Sequence, residues 1–228
     1  MIAIQIQLNE NLYLRDPQQT KLGRRIIEFG IILIEQLGFE KFTFKKLAER
    51  IESTEASVYR YFENKHKFLL YLISWYWEWM KFQIDYNTMN IEDAARRLQI
   101  IISILVESSR TNPAVEYVDE NILHRIVVAE SVKAYHTKEV DMENRDGLFL
   151  NYKMLCGAIS DTIIEVCSDY PYPRTLASTL IEMANSHIYF AEHIPSLTEI
   201  RTDNADLSAV KAMLEDFASR VLGVNMKH

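Results

Sequence analysis

"TFKKLAERIESTEASVYRYFENK", residues 43 to 65, is the stretch on which the reading of the whole chain turns. Thr43 is a good N-cap, and Phe42 before it can meet Leu47 at the fourth helical position as a hydrophobic staple, so a two-turn helix is predicted over "FKKLAERI". Ser53 and Thr54 interrupt that pattern, and Thr54 can cap a second short helix. Asn64 can cap a third, long one from Lys65 to about Tyr86. Two short helices joined by a tight turn and preceded by a packing helix are the layout of a helix-turn-helix. Ala48, the small residue in the first of the pair, lets the second cross closely.

At about 100° per residue, Val58 and Phe62 share one face of the second helix, while Ala56, Ser57, Arg60 and Tyr61 share the opposite one. The apolar face is expected to dock and the other to enter a groove. Ser57 can pair with either base type, Arg60 can bind guanine or phosphate, and Ala56 permits close approach or touches a thymine methyl. Tyr59 lies at the edge, placed to give its hydroxyl to a phosphate. Lys65, Lys45, Lys46, Arg24 and Arg25 are candidate phosphate contacts, as are the free N–H groups of the helices that open near Thr43 and Asn64, and Thr43 and Thr54 themselves are counted among the DNA-binding candidates. Glu55 has two readings. A carboxylate in a first helical turn is stabilised by the dipole, and a carboxylate facing a groove can accept from cytosine and repel wrong sequences.

Upstream, Leu22, Ile26, Phe29, Ile32, Leu33 and Leu37 recur at three and four residues from Thr20 and stop at Gly38, a helix closed by glycine. Lys21, Arg24 and Arg25 crowd its first turns against the helix dipole, which gives that basic end a reason other than helix stability. Before it, Ile2, Ile4, Ile6 and Leu8 alternate with polar or small residues, and the alternation resumes at Leu12 and Leu14 after "NEN". Period two with a polar break reads as a small β-hairpin, an unstructured leader being the other reading. Downstream, helices are expected at about 91–109, 114–136, 146–168, 174–193 and 205–222, with breaks at "RTNP", "HTKEVDMENRDG", "DYPYPR" and "IPSLTEIRTDN".

The segment from about Lys21 to Ile84 resembles the DNA-binding domain of the tetracycline-repressor (TetR) family of transcriptional regulators. The residues that carry the resemblance are "EQLGFEKFTFKKLAERI", 35 to 51, and "TEASVYRYFENKHKFLL", 54 to 70. It implies an all-α protein: a three-helix DNA-binding unit, residues 18–67, after an N-terminal extension, 1–17, and before a helical ligand-binding and dimerisation domain, 68–228. It also implies phosphate contacts for Tyr59 and Lys65, and a homodimer formed through a four-helix interface. Two-fold symmetry would dictate a palindromic operator. Two positions depart from the family pattern. Glu52 stands where the turn more often has glycine, and a left-handed conformation there costs about 1 kcal/mol relative to glycine. Glu55 stands where a neutral or basic residue is more common.

Net charge −7 is not an objection to DNA binding, because it is unevenly spread. Through Lys67 there are 11 Lys and Arg against 9 Asp and Glu, and beyond it 14 against 23. Local charge sets phosphate affinity, so the acidity belongs to the part that need not approach DNA. Cys156 and Cys167 sit in one apolar run at a helical separation of roughly 16 Å, too far for a disulfide. Free thiols and the absence of a signal-like N-terminus or a spanning apolar run point to the cytoplasm and away from membranes.

Within the larger domain, "FLLYLISWYWEWMKF", 68 to 82, has aromatics on every face and is expected to be buried on several sides. The resemblance implies that this helix carries motion between ligand pocket and DNA-binding unit. Trp79, Tyr117, Tyr135 and Tyr152 are candidates for a lipophilic, hydroxyl-dotted pocket, with ordinary core as the competing reading. Small residues in "RTLASTLIEMANSHIYFAEHI", 174 to 194, suit close helix pairing in a dimer. No histidine pair, nucleophile elbow or nucleotide loop is present, so no enzyme, metal or cofactor is expected. The resulting expectation is a ligand-responsive DNA-binding repressor. The alternative is a helical interaction protein that keeps the fold without reading DNA.

Overall fold

Side-chain caps close the N-terminal helices where the sequence placed them. In the computed structural model, which describes residues 6–107, 115–201 and 206–225, helix α1 spans Lys21–Leu37 and is capped by Thr20, whose hydroxyl accepts from the Gly23 N–H. It ends at Gly38, which takes φ 76° and returns its N–H to the Ile34 carbonyl. α2, Phe44–Arg50, is capped by Thr43, and α3, Glu55–Tyr59, by Thr54. α4 runs Lys65–Thr88, with the Asn64 carboxamide accepting from the Lys67 N–H at 2.9 Å. Each cap satisfies backbone donors that a helix start otherwise leaves unpaired.

Beyond α3, seven helices occur among the described residues, α4 included. The others are α5, Ala94–Val106, capped by Asp93; α6, Glu120–Tyr135, capped by Asp119; α7, Val140–Arg145; α8, Leu150–Val166; α9, Pro173–His193; and α10, Ser208–Leu222, ended by Gly223 in the left-handed conformation. The protein is all-α, and no strand occurs among the described residues. α7 lies in what reads as a break at 136–147. Its only apolar residues are Val140 and Met142, so hydrophobic period gives no sign of it.

The hairpin reading does not hold for the described part of residues 2–14. From Ile6 onward there is a 3-10 turn at Glu10–Leu12 and no strand, while Ile2 and Ile4 lie outside the described residues. Alternation arises differently here: Ile6 and Leu12 are buried as separate anchors, whereas Leu14 is exposed.

The chain divides into two compact units, with boundaries inside α4 and α8. The first comprises Met1–Glu78 and Ser109–Tyr152, the second Trp79–Ser108 and Lys153–His228. In the first, α6 packs on α1, and the core is aromatic. Phe62 meets Phe68 edge-on at 4.9 Å and Tyr71 at 5.2 Å, and Phe42 stacks on Phe68 at 5.6 Å. Gly30 on α1 admits that cluster, since a Cβ there would stand 2.3 Å from the Phe68 ring. Every residue from Phe68 to Trp77 is buried, as expected for a helix with aromatics on every face. In the second unit α5, α9 and α10 pack together, and Leu98, Ile102, Leu180, Ile181, Val210 and Leu214 on them are buried.

Candidate nucleic-acid interface

α2 and α3 are joined by a turn that needs one residue in left-handed backbone, and Glu52 supplies it at φ 53°. The Ser53 N–H then bonds the Ala48 carbonyl at 2.9 Å, which closes the end of α2 and sets the start of α3. Ala48 itself is buried, so the two short helices approach closely at that point. Val58 and Phe62 are wholly buried and anchor α3 and the turn after it.

The opposite face of α3 is open. Thr54, Glu55, Ala56, Tyr59 and Arg60 are exposed, with Ser57 half-buried because its hydroxyl pairs with that of Thr54 at 2.8 Å. Tyr59 rests edge-on against Phe44 at 5.0 Å, which fixes the ring and leaves the residue 46% exposed. On α2, Thr43, Lys45 and Lys46 are exposed; the Lys46 ammonium donates to the Lys41 carbonyl at 2.8 Å. These exposed residues of α2 and α3 are polar or small, apart from Tyr59.

Tyr61 is not on that face. α3 ends at Tyr59, so the helical period that groups Tyr61 with Ser57 stops short of it. The ring is 3% exposed, its hydroxyl shares a 2.7 Å hydrogen bond with Thr20, and its carbonyl accepts from the Leu14 N–H at 2.8 Å. Tyr61 is a structural residue that ties the end of α3 to the segment before α1. Arg24 and Arg25 sit in the first turns of α1, as their numbers require. Arg24 Nε donates to the Gln18 carbonyl at 2.8 Å and its guanidinium lies over Tyr117, while Arg25 lies over Phe29.

Lys65 opens α4 and is half-buried. Its ammonium donates to the carbonyls of Phe39 and Glu40 at 3.2 Å each and lies over the Phe39 ring. The loop it holds is held again from α6, where Glu130 accepts from the Phe39 N–H at 3.2 Å and Lys133 bridges Glu130 and Glu40. His66, the next residue of α4, pairs with the buried Glu143 of α7 at 2.9 Å. These long-range supports carry no local sequence pattern, which is why reading the sequence missed Glu130 and Glu143.

Of the four candidates for a pocket, Tyr135 and Tyr152 are in contact. Tyr135 and Tyr152 stack at 5.4 Å, Tyr152 stacks on Trp77 at 5.1 Å, and the Tyr135 hydroxyl accepts from the Trp77 indole at 2.6 Å. Tyr117 instead donates to Gln18 at 3.1 Å, and burial pushes its hydroxyl up to about 12 against the opposing pull of Arg24. Trp79 belongs to the second unit, stacked on Phe82 at 5.5 Å. Among the described residues no cluster of three or more His, Cys, Asp or Glu is placed to hold a metal, and no helix is long and apolar enough to cross a membrane.

Comparison with known proteins agrees with the geometry. No curated protein matches the sequence. The fold is similar to AibR, solved with isovaleryl coenzyme A and operator DNA, at TM-score 0.56 and 12% identity over 89% of this chain and 100% of that one. It is similar to apo AibR at TM-score 0.52 and 14% identity, over 89% and 99% of the two chains. It is also similar to the fatty acid degradation regulator FadR from Bacillus halodurans at TM-score 0.57 and 14% identity, over 87% and 93%. Residues 26–72, which contain α2, α3 and the turn between them, match the family model for bacterial regulatory proteins of the tetR family. That segment is therefore similar to the N-terminal domain of bacterial regulatory proteins of the tetR family, and the solved structures extend the likeness of fold to most of the chain.

Proposed function

We propose that the protein is a transcriptional repressor that binds a palindromic operator as a homodimer and is released by a small lipophilic ligand. The observation that carries the reading is α3, docked by Val58 and presenting Glu55, Ala56, Tyr59 and Arg60 to solvent. Arg60 reads a guanine or a phosphate; Tyr59, Lys45, Lys46 and Lys65 fix the register on the backbone, aided by the N-termini of α2 and α4. Repression needs no surface beyond this one, because a bound dimer hinders polymerase. No catalytic step, metal or cofactor is part of the proposal.

Dimerisation is assigned to the second unit. Met154 and Ile164 on α8 and Phe217 and Val221 on α10 are exposed apolar residues suited to a symmetric helix interface. α9 serves this less well than its small residues suggest, since Ala177 and Ala184 are buried in the unit's own core. A lipophilic ligand agrees with AibR having been solved with an acyl thioester of coenzyme A, and with the Trp77, Tyr135, Phe149 and Tyr152 cluster of the first unit. Half-buried Cys156 and Cys167 suit the reducing cytoplasm.

The test is selection of genomic fragments by the purified protein, repeated with acyl thioesters of coenzyme A and free fatty acids. Enrichment of one palindrome, lost when a ligand of that class is added, supports the proposal. Uniform capture of all fragments, or none, favours a helical interaction protein that keeps the fold without reading sequence.

A further inference from the structure

The segment before α1 does more than lead into the helix. Residues Ile6 to Thr20 lie along the first unit and are fixed at both ends. At one end the Asn9 carboxamide donates to the carbonyls of Asp146 and Gly147 at 3.1 and 3.0 Å, at the corner between α7 and α8, and Asn11 donates to Asp146 at 3.0 Å. At the other, Leu14 donates its N–H to the Tyr61 carbonyl, Arg15 lies over the Tyr61 ring, and Thr20 bonds the Tyr61 hydroxyl. Tyr61 follows α3 by two residues. Between the ends, Leu12 is wholly buried, and Gln18 donates to the Ile6 carbonyl while accepting from Tyr117.

Glycines stand where the segment passes, and the one at position 23 is needed for its seating. A Cβ on Gly23 of α1 would stand 2.3 Å from the Pro17 carbonyl oxygen, and one on Gly147 would stand 2.7 Å from the Asn9 carboxamide nitrogen. Both positions are bare where the segment passes, at α1 and at the α7–α8 corner. Gly147 takes φ 77° and so favours glycine on its own account, whereas the contact at Gly23 is with Pro17 backbone and is specific to the seated segment.

We infer that Ile6–Thr20 is a strap that positions the recognition helix: Asn9 latches it to the α7–α8 corner, and Leu14 with Thr20 passes that hold to Tyr61 at the end of α3. Asn9 is thus a positioning residue for operator binding, remote from the reading face. The inference rests on α3 reading DNA, and it deepens that reading by naming what sets the helix's angle. Because two copies read two half-sites, an angle fixed within each copy shows in the half-site spacing the dimer prefers.

Asn9→Asp separates latch from local structure. Its carboxylate still accepts from the Asn11 N–H, as the carboxamide oxygen now does at 2.8 Å, but it loses the donor to Asp146 and Gly147. Full-length wild type and Asn9→Asp are titrated with the selected operator and with the same operator carrying one extra base pair between half-sites. Two neutral hydrogen bonds correspond to about a tenfold change, so the operator should bind Asn9→Asp about tenfold more weakly. The lengthened operator should lose much less, so that spacing preference relaxes. Gly23→Ala, which displaces the strap at Pro17 and leaves Asn9 intact, should give the same relaxation. Wild-type affinity and spacing preference retained in both variants would overturn the strap. Equal weakening on both operators would reduce it to a stability contact. A wild type that selects no operator would instead defeat the DNA-binding reading beneath it.

Discussion

The helix-turn-helix and the segment from α6 to the first residues of α8 belong to the same compact unit, yet they are held in opposite ways. In α1 to α3 each helix start is capped by a threonine one residue before it, and the turn is closed by backbone bonds within a few residues. From α6 to the start of α8 the supports are buried polar groups reaching far along the chain: Glu130 to Phe39, Glu143 to His66, His124 to Tyr76, Asn151 to Glu78. The first region writes its shape locally and spends its buried surface on aromatic packing. The second is specified by pairs that exist only once the chain is folded.

That contrast is broken most directly at the aromatic anchor. Phe62→Ala empties a fully buried site between Phe68 and Tyr71 and should cost about 3–5 kcal/mol of unfolding free energy, read by denaturant titration. A loss below about 1 kcal/mol would mean that packing is not what holds the region.

The second region should betray itself in pH. Burial, with a smaller push from Arg125, lowers His124 from 6.5 to about 4, and its Nδ1 lies 2.5 Å from the Tyr76 hydroxyl. Above pH 6.5 the ring is neutral folded and unfolded alike, so its contribution is complete there. Between 6.5 and about 4 the unfolded chain takes up a proton that the folded one refuses, and stability falls as pH falls, by up to about 3 kcal/mol. Thermal unfolding of His124→Gln should show a flatter profile across that window; an unchanged slope would remove His124 from the account of acid sensitivity.

Much of the helix-turn-helix was legible for the same reason that it is locally held. Thr43, Thr54, Asn64 and Gly38 each mark a helix end within one residue of where it occurs, and Val58 and Phe62 identify the docking face. Tyr61 was misplaced because α3 is only one turn and a half long, too short for its period to run on. α7 and the N-terminal strap were not legible. Their positions depend on Asn9, Glu143 and Asn151 finding partners 70 or more residues away, and single polar residues announce no such partner. Of the pocket candidates, Tyr135 and Tyr152 lie together with Trp77 while Tyr117 pairs with Gln18, a sorting that an aromatic inventory does not contain.

Smaller effects sharpen the local side of the comparison. Glu52 holds a left-handed conformation without being glycine, so Glu52→Gly should raise stability by about 1 kcal/mol and leave operator affinity intact. Destabilisation would show that the Glu52 side chain has a role in the turn. Glu55→Ala should strengthen binding to all duplexes if the carboxylate only repels phosphate, and relax preference at one base pair if it accepts from cytosine.

The central claim is that the exposed face of α3 reads DNA, and it is tested by titrating wild type and Arg60→Ala against the selected operator and a scrambled duplex at one salt concentration. Arg60 is exposed at the end of α3, so its removal should leave the helical circular dichroism unchanged. The expected result is a loss of about 1–3 kcal/mol on the operator, with a smaller loss on the scrambled duplex. Equal operator affinity in wild type and Arg60→Ala would contradict it.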